Sequence, residues 1–356
     1  MVSAATKRSP VPRSTAQIFG LYFGIPWLRN QVLVSLAVGA LSAGFLLLGL
    51  CAIIDTVDPI IGLPNGISRP LFSIIAILIV ACLLYGHFIE RHWIEITRTR
   101  IRTPKIRQGS DSIRIVHLSD FHCTREDTLE KRLPDLVESL SPDLILMTGD
   151  YLGSRKGIPV LTRLCSSLRS AHGVFAVVGN HEVWYTPDVD LFSGTGVFLL
   201  ENEIRSVSIR GVSVSLVGIS VEEEKEGIGL LKTLSPEEFN ILLYHYPDLI
   251  EEASRHRVDL QLSGHTHGGQ VALPLFGAIV TFSRGWKRFE RGLYRVGESL
   301  LYVSRGVGSD GGIFPTVRFF ARPEIAVIDL IPEAAFLDRK DRRHPERPIP
   351  AGETPA

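Results

Sequence analysis

The chain has 356 residues, more than one typical domain needs. Basic and acidic residues balance to a net charge of zero, so no overall field favours a nucleic-acid partner. Mean hydropathy is positive, as in chains with membrane segments, and the cysteines Cys51, Cys82, Cys123 and Cys165 form no CxxC pair, which argues against a disulfide framework or a structural zinc knuckle.

Residues 1–30 read as an N-terminal tail and 31–90 as a transmembrane hairpin. The run 32–54 carries no charge and, as a helix, would reach about 34 Å, enough to cross a hydrocarbon core. The run 71–89 is also uncharged and would reach about 28 Å. Asp55, Asp58, Pro59, Pro64, Asn65, Gly66 and Pro70 make a turn between them. A cleaved signal peptide would have a shorter apolar region and a small-residue cleavage site. Lys7, Arg8, Arg13 and Arg29 precede the hairpin, and Arg91, Arg98, Arg100, Arg102, Lys105 and Arg107 follow it, whereas the turn holds only Arg69. The positive-inside rule then predicts a multi-pass cell-membrane protein with both ends, and the large domain, in the cytoplasm. Residues 91–112 read as a basic linker; resting on anionic headgroups and being a solvated connection both stay open.

From residue 113 the pattern becomes that of an α/β domain, expected to span 113–332. Residues 113–118, 144–147 and 174–178 read as strands, with helices between them: one carrying Leu129, Leu133, Leu136, Val137 and Leu140 on one face, starting late or kinked at Pro134, and one at 158–168. Such alternation predicts a mainly parallel sheet. Further strands are expected at 204–209, 212–219, 241–244, 260–262, 292–296, 300–303 and 324–330, suggesting a second sheet packed on the first. Ser235-Pro236-Glu237-Glu238 reads as a helix start, with a Ser cap and Pro at the first helical position. The run Glu222 to Glu226 reads as a solvated loop. The tail 333–356, rich in Pro, Arg and Glu, reads as disordered.

The informative feature is what ends the strands. Asp120-Phe121-His122 closes the first, Asp150 the second and Asn180-His181 the third; His245 and Gly264-His265-Thr266-His267-Gly268-Gly269-Gln270 close later ones. Ligands of α/β sheets bind beyond the carboxyl ends of the strands. Carboxylate, imidazole and carboxamide at that edge suit divalent first-row metals. Alternate residues of an extended chain point the same way, so Asp-x-His and His-x-His can converge. A bridging Asp would let this set hold two ions.

These segments, in this order, resemble the calcineurin-like metallophosphoesterase superfamily, and Ser304-Arg305-Gly306 and Arg322-Pro323-Glu324-Ile325 resemble segments of its membrane-attached bacterial branch. The resemblance implies a four-layer α-β-β-α sandwich. It implies two divalent ions, one on Asp120, His122 and His267, the other on Asn180, His245 and His265, with Asp150 bridging; Mn, Fe, Zn, Ni and Co all fit this donor set. His181 would bind no metal and would serve as proton donor or hydrogen-bond donor at the scissile ester. The implied reaction is hydrolysis of a phosphoester by a metal-bound hydroxide. The hairpin points to a lipid-linked diester or pyrophosphate, and Gly149-Asp150-Tyr151-Leu152-Gly153-Ser154 lacks the second Asp and the Arg found in Ser/Thr protein phosphatases of the superfamily. A membrane-bound scaffold or sensor that binds a phosphorylated ligand without turnover is the alternative; the unsubstituted ligand set argues against it. Arg305 is a lesser candidate for contact with substrate phosphate. His117 is expected in the core.

Overall fold

The computed structural model describes residues 68–124, 128–310 and 316–333. The expected tail 1–30, the apolar run 32–54 and the expected disordered tail from 334 onward lie outside the described residues. The second apolar run coincides with a helix, α1 (Ser68–Phe88). Its side chains are described at Ile74 and from Ile77 onward, and the described residues hold no helix long and apolar enough to cross a membrane.

The first sheet contains β1 (Glu95–Thr103), β2 (Ile113–Leu118), β3 (Leu144–Thr148), β4 (Val174–Val177), β5 (Val197–Leu199) and, late in the chain, β14 (Glu324–Pro332). The second contains β6 (Glu203–Ile209), β7 (Val212–Gly218), β8 (Phe239–Leu243), β9 (Leu260–Ser263), β12 (Gly292–Val296) and β13 (Ser299–Val303). A two-stranded ribbon, β10 (Ala272–Leu273) and β11 (Gly277–Ala278), stands apart. The sheet orders are β1-β14-β2-β3-β4-β5 and β12-β13-β9-β8-β7-β6. β2 to β5 run parallel, as do β7, β8, β9 and β13, whereas β14 is antiparallel to β2.

Parallel strands buried on both faces need apolar residues at every position, and β3 (LILMT) is buried throughout. Its side chains divide between two cores by the strand's alternation. Leu144 and Leu146 face Leu216, Ile241 and Leu262 of the second sheet. Ile145 and Met147 face the helices α2 (Thr128–Ser139) and α3 (Ile158–Ser167) through Leu133, Val137, Leu161 and Leu164. On the far side of the second sheet, Val217, Leu242 and Val303 pack on Leu231 of α5 (Glu224–Leu231) and Ile250 and Ala253 of α6 (Ile250–Ala253). Helices thus cover both outer faces of two mixed sheets, and α2 runs through Pro134.

Three expectations need correction. The stretch 91–112 is not a bare linker: β1 lies within it and forms the edge of the first sheet, paired in parallel with β14 over its whole length. Its alternation is polar on both faces. Arg98, Arg100 and Arg102 point out, while Thr97 and Thr99 lead inward to the buried Ile101 and Thr103, so no apolar period marks it. Lys105 then ties this edge to the second sheet through Asp259 Oδ2 at 2.6 Å and Glu238 O at 2.7 Å. The helix expected at Ser235 does not form. The chain enters the buried strand β8 at Phe239, and Glu238, instead of capping a helix, accepts the Ser213 hydroxyl at 2.6 Å. The acidic run at 222–226 is not all loop, since α5 begins at Glu224.

Candidate metal centre

The loops after β2 and β3 lie side by side. Asp120 N donates to Gly149 O, His122 N to Asp150 O and Cys123 N to Tyr151 O. This pairing carries Asp120 and Asp150 to one edge. Asn180 and His181 open the short helix α4 (Asn180–Tyr185) after β4, His245 follows β8, and His265 and His267 follow β9. Five of these residues, Asp120, His122, Asp150, His265 and His267, hold φ between 47° and 69°. Side chains other than glycine rarely adopt that backbone region, and such strain, of order 1–3 kcal/mol each, gathers at functional sites. Two glycines allow the crowding. A Cβ on Gly179 would sit 2.3 Å from Asp150 Oδ1, and one on Gly264 2.1 Å from Asp120 Oδ2.

The donor atoms converge. Asp150 Oδ2 is 3.3 Å from His245 Nε2 and 3.8 Å from both His122 Nε2 and His181 Nε2. His267 Nε2 is 3.0 Å from His122 Nε2 and 3.5 Å from Asp120 Oδ1. Three triads each hold their ligand atoms within 4.8 Å: Asp120, His122 and His267; His122, Asp150 and His181; Asp150, His245 and His265. Six of the seven expected ligands and His181 are therefore brought to one place, and the seventh, Asn180, immediately precedes His181, whose backbone N–H donates to Asp150 Oδ1 at 2.9 Å.

The surroundings orient the imidazoles. His245 Nδ1 donates to Thr148 O at 2.6 Å, turning Nε2 inward. His265 Nε2 donates to Phe282 O at 3.0 Å, which leaves Nδ1 for the centre. His181 Nδ1 donates to Leu152 O at 3.1 Å, so Nε2 faces Asp150. Fixing one ring nitrogen selects the tautomer of the other, as in metal sites generally. Asn180 Oδ1 and His245 Nε2 are buried without a hydrogen-bond partner; a cation would satisfy both.

Electrostatics point the same way. Burial pushes His122 down to about 4, with His181 adding to it, and His265 down to about 3, with His245 adding to it. Burial, then His122, holds His267 well below its ordinary value. These rings are neutral and keep a lone pair to give. Burial works against the Asp150 carboxylate, yet His245 and His181 hold it well below the usual range. Burial raises Asp120 to about 6, with His245 opposing and Asp150 reinforcing. Burial opposes charge on His245, but Asp150 lifts it to about 9. A cation held between Asp120 and Asp150 would offset their buried negative charge, which is costly when unpaired. The donor set fits divalent first-row ions.

Two functional residues escape sequence reasoning. Glu182 is buried, and its carboxylate accepts Asp150 N and Tyr151 N at 2.8 Å, Gly179 N at 2.9 Å and Leu152 N at 3.2 Å. It stitches the β3 and β4 loops together; its place beside Asn180-His181 was the available signal. Arg318 is fully buried, with Nη1 on Arg305 O at 2.7 Å and Ala321 O at 3.0 Å and Nη2 3.2 Å from His267 Nδ1. Nothing local in the sequence marks it. Arg305, considered for substrate contact, is buried and committed to Glu95 and Glu324 at 3.0 and 3.2 Å. His117 is in the core, as expected. Cys123 is fully buried, and burial raises its thiol well above its ordinary value, which disfavours the reactive thiolate.

Residues 113–269 match the family model of calcineurin-like phosphoesterases. The chain is 34% identical over 261 residues to the uncharacterized metallophosphoesterase YkuE of Bacillus subtilis, a match covering 69% of this chain and 88% of that one. It is 29% identical over 259 residues to the phosphodiesterase YaeI of Escherichia coli, covering 69% and 92%. It is 26% identical over 326 residues to the UDP-2,3-diacylglucosamine pyrophosphatase LpxG of Chlamydia muridarum, covering 74% and 97%.

Proposed function

The chain belongs to the calcineurin-like metallophosphoesterase family, a family of metal-dependent phosphoester hydrolases, and on that premise we propose that it hydrolyses a lipid-linked phosphodiester or pyrophosphate at a two-metal centre beside a membrane. The observation that carries the two-metal reading is the convergence of six ligand side chains, Asp120, His122, Asp150, His245, His265 and His267, with Asn180 Oδ1 and His245 Nε2 buried and unpartnered. Asp120, His122 and His267 would hold one ion, Asn180, His245 and His265 the other, and Asp150 would bridge. Bound there, divalent ions would supply Lewis acidity toward the phosphoryl oxygens and acidify a water.

The chain's own residues do the rest. Leu152 O fixes His181 Nδ1–H, so Nε2 is the nitrogen aimed into the site. Burial disfavours charge on His181, but Asp150, then Asp310 and Glu182, outweigh it and raise its pKa. His181 is thus suited to carry a proton at Nε2 and give it to the leaving oxygen, a contribution of typically ~10²–10⁴-fold. The left-handed backbones of Asp120, His122 and Asp150 fix their side chains before substrate arrives, so little reorganisation is needed in the transition state.

Membrane attachment and a cytoplasmic domain are supported by the apolar run at 32–54, the basic residues flanking the pair of runs, and the exposed Ile77, Leu78, Leu84 and Phe88 of α1. A lipid-linked substrate follows from that placement and is in keeping with the substrate for which LpxG is named.

The test is hydrolysis of bis-(p-nitrophenyl) phosphate by the detergent-solubilised full chain, stripped of metal and resupplied with Mn²⁺, beside Asp150→Asn. Metal-dependent turnover that the variant loses, together with loss of metal at both positions, is expected. Full activity with intact metal content in Asp150→Asn would sink the bridging assignment.

A further inference from the structure

We propose that the β10–β11 ribbon is a second lipid contact, its apolar tip entering the same bilayer that receives α1. This rests on the membrane-attached reading above and adds to it how the catalytic edge is held.

The topology places α1 at the site. β2, β3 and β4 end at the metal centre. β14 runs antiparallel to β2, so it begins at that edge with Glu324; β1 is parallel to β14 and begins there with Glu95. α1 ends at Phe88, a short turn before Glu95. The helix therefore meets the domain on the edge that carries the metal ligands.

One segment, 316–321, binds both α1 and the ribbon. On the helix side, His87 Nδ1 donates to Thr316 O at 2.7 Å, Arg318 N to Gly86 O at 3.2 Å, and Ala321 N to the buried Glu90 Oε1 at 2.8 Å. Tyr85 meets Phe319 edge to face. On the ribbon side, Phe319 N donates to Gln270 O at 3.0 Å and Ala272 N to Phe319 O at 2.8 Å. Gly269 presses against Ala278 so closely that a Cβ there would lie 2.4 Å from the alanine methyl. The ribbon is thus fixed relative to both α1 and the histidines at 265 and 267.

The tip of this fixed ribbon is Leu273-Pro274-Leu275-Phe276. Leu273 is 45% exposed, Phe276 57%, and Leu275 fully exposed. Phe320, on the bridging segment, is half exposed as well. A cluster of bare apolar side chains beside a polar rim marks an interaction surface. Its occupant is identified by what adjoins it. Tyr85 of α1 is linked to Phe320 through Phe319, which both rings meet edge to face, and Trp93, exposed and with Arg322 4.7 Å from its ring, supplies the aromatic–cation pair favoured at membrane interfaces. At the base of the tip Lys287 lies 4.2 Å from the Phe276 ring and donates to Phe276 O and Ala278 O. An apolar stem with its charged head at the base of an inserted loop is the arrangement expected at headgroup depth.

The experiment uses the full chain reconstituted into phosphatidylcholine vesicles containing phosphatidylglycerol. An environment-sensitive fluorophore is placed on Leu275→Cys, on Leu84→Cys in α1, and on Glu298→Cys in the exposed β12–β13 turn at the opposite edge. The unsubstituted chain, labelled alike, gives the background, and hydrolysis of a soluble diester checks that each variant is folded. Blue-shifted emission quenched by spin-labelled lipids at 275 and 84, but not at 298, is expected. Quenching at 84 with 275 behaving as 298 overturns the ribbon contact alone. Both positions behaving as 298 overturns membrane attachment itself. Shielding at 275 that lipid quenchers do not reach, and that disappears when the protein is diluted among vesicles, shows that a second copy covers the tip and also overturns the proposal.

Discussion

Replacing Glu182 by Gln tests whether the site is held by one buried carboxylate. Each carboxylate oxygen accepts two backbone N–H groups: Oε2 those of Asp150 and Gly179, Oε1 those of Tyr151 and Leu152. Gln has the same shape, but only one of its two terminal atoms can accept. Two buried N–H groups then face an NH₂ group and lose their acceptor. A buried unsatisfied donor costs about 1–3 kcal/mol, so the substitution should destabilise the fold by about 2–6 kcal/mol, a large part of the 5–15 kcal/mol typical of a domain. The loss falls on the loop that carries Asp150, so metal occupancy should drop with stability. Urea unfolding of the detergent-solubilised chain, followed by tryptophan fluorescence and paired with metal analysis, measures both. An unfolding midpoint within error of the unsubstituted chain, with both metals retained, would refute the reasoning.

Four further outcomes are expected. His181→Ala should keep both metals while turnover of bis-(p-nitrophenyl) phosphate falls by ~10²–10⁴-fold; loss of metal would identify His181 as a ligand instead. His117 is fully buried, and burial lowers it to about 4 against an ordinary 6.5, with Glu324 opposing. Because the neutral form is the folded one, its contribution is complete above pH 6.5 and is lost as pH falls toward 4, so going from pH 7 to 5 should cost about 2 kcal/mol that His117→Gln does not lose, as read by urea midpoints at the two pH values. Chelation should lower the melting temperature in a metal-dependent way, since a ligand at a hundred times its Kd adds about 2.7 kcal/mol to stability; an unchanged melting curve with verified metal removal would speak against a structural load on the centre. A chain beginning at Gln108 lacks β1, baring the edge of β14 and removing Ile101 from the core; size-exclusion chromatography should show it aggregated beside a chain beginning before Glu95.

Most of the centre was legible in the sequence, for a physical reason. Metal ligation demands particular donor atoms, and the sheet edge puts them directly after apolar strands, so the candidate ligands Asp120, His122, Asp150, Asn180, His245, His265 and His267 stand out as polar residues in short, patterned contexts. The buried strands β2, β3 and β4 were equally legible, because burial on both faces forces uninterrupted apolar runs. What tertiary structure alone decided lacks such a signature. β1 alternates threonine with arginine, and it becomes a strand because β14, more than two hundred residues later in the chain, offers it a free edge. Ser235-Pro236-Glu237-Glu238 has the local marks of a helix start, yet β8 must begin at Phe239 to fill the core between the sheets, and burial outweighs a cap. Arg305 and Arg318 look alike in the sequence as basic residues near the site; only packing shows one locked by Glu95 and Glu324 and the other buried against His267. Sequence determined which atoms the centre offers, because chemistry restricts them residue by residue. The structure determined what holds those atoms in place, because hydrogen bonds such as those of Glu182 and Arg318 join segments that are distant along the chain and carry no mark of their partner.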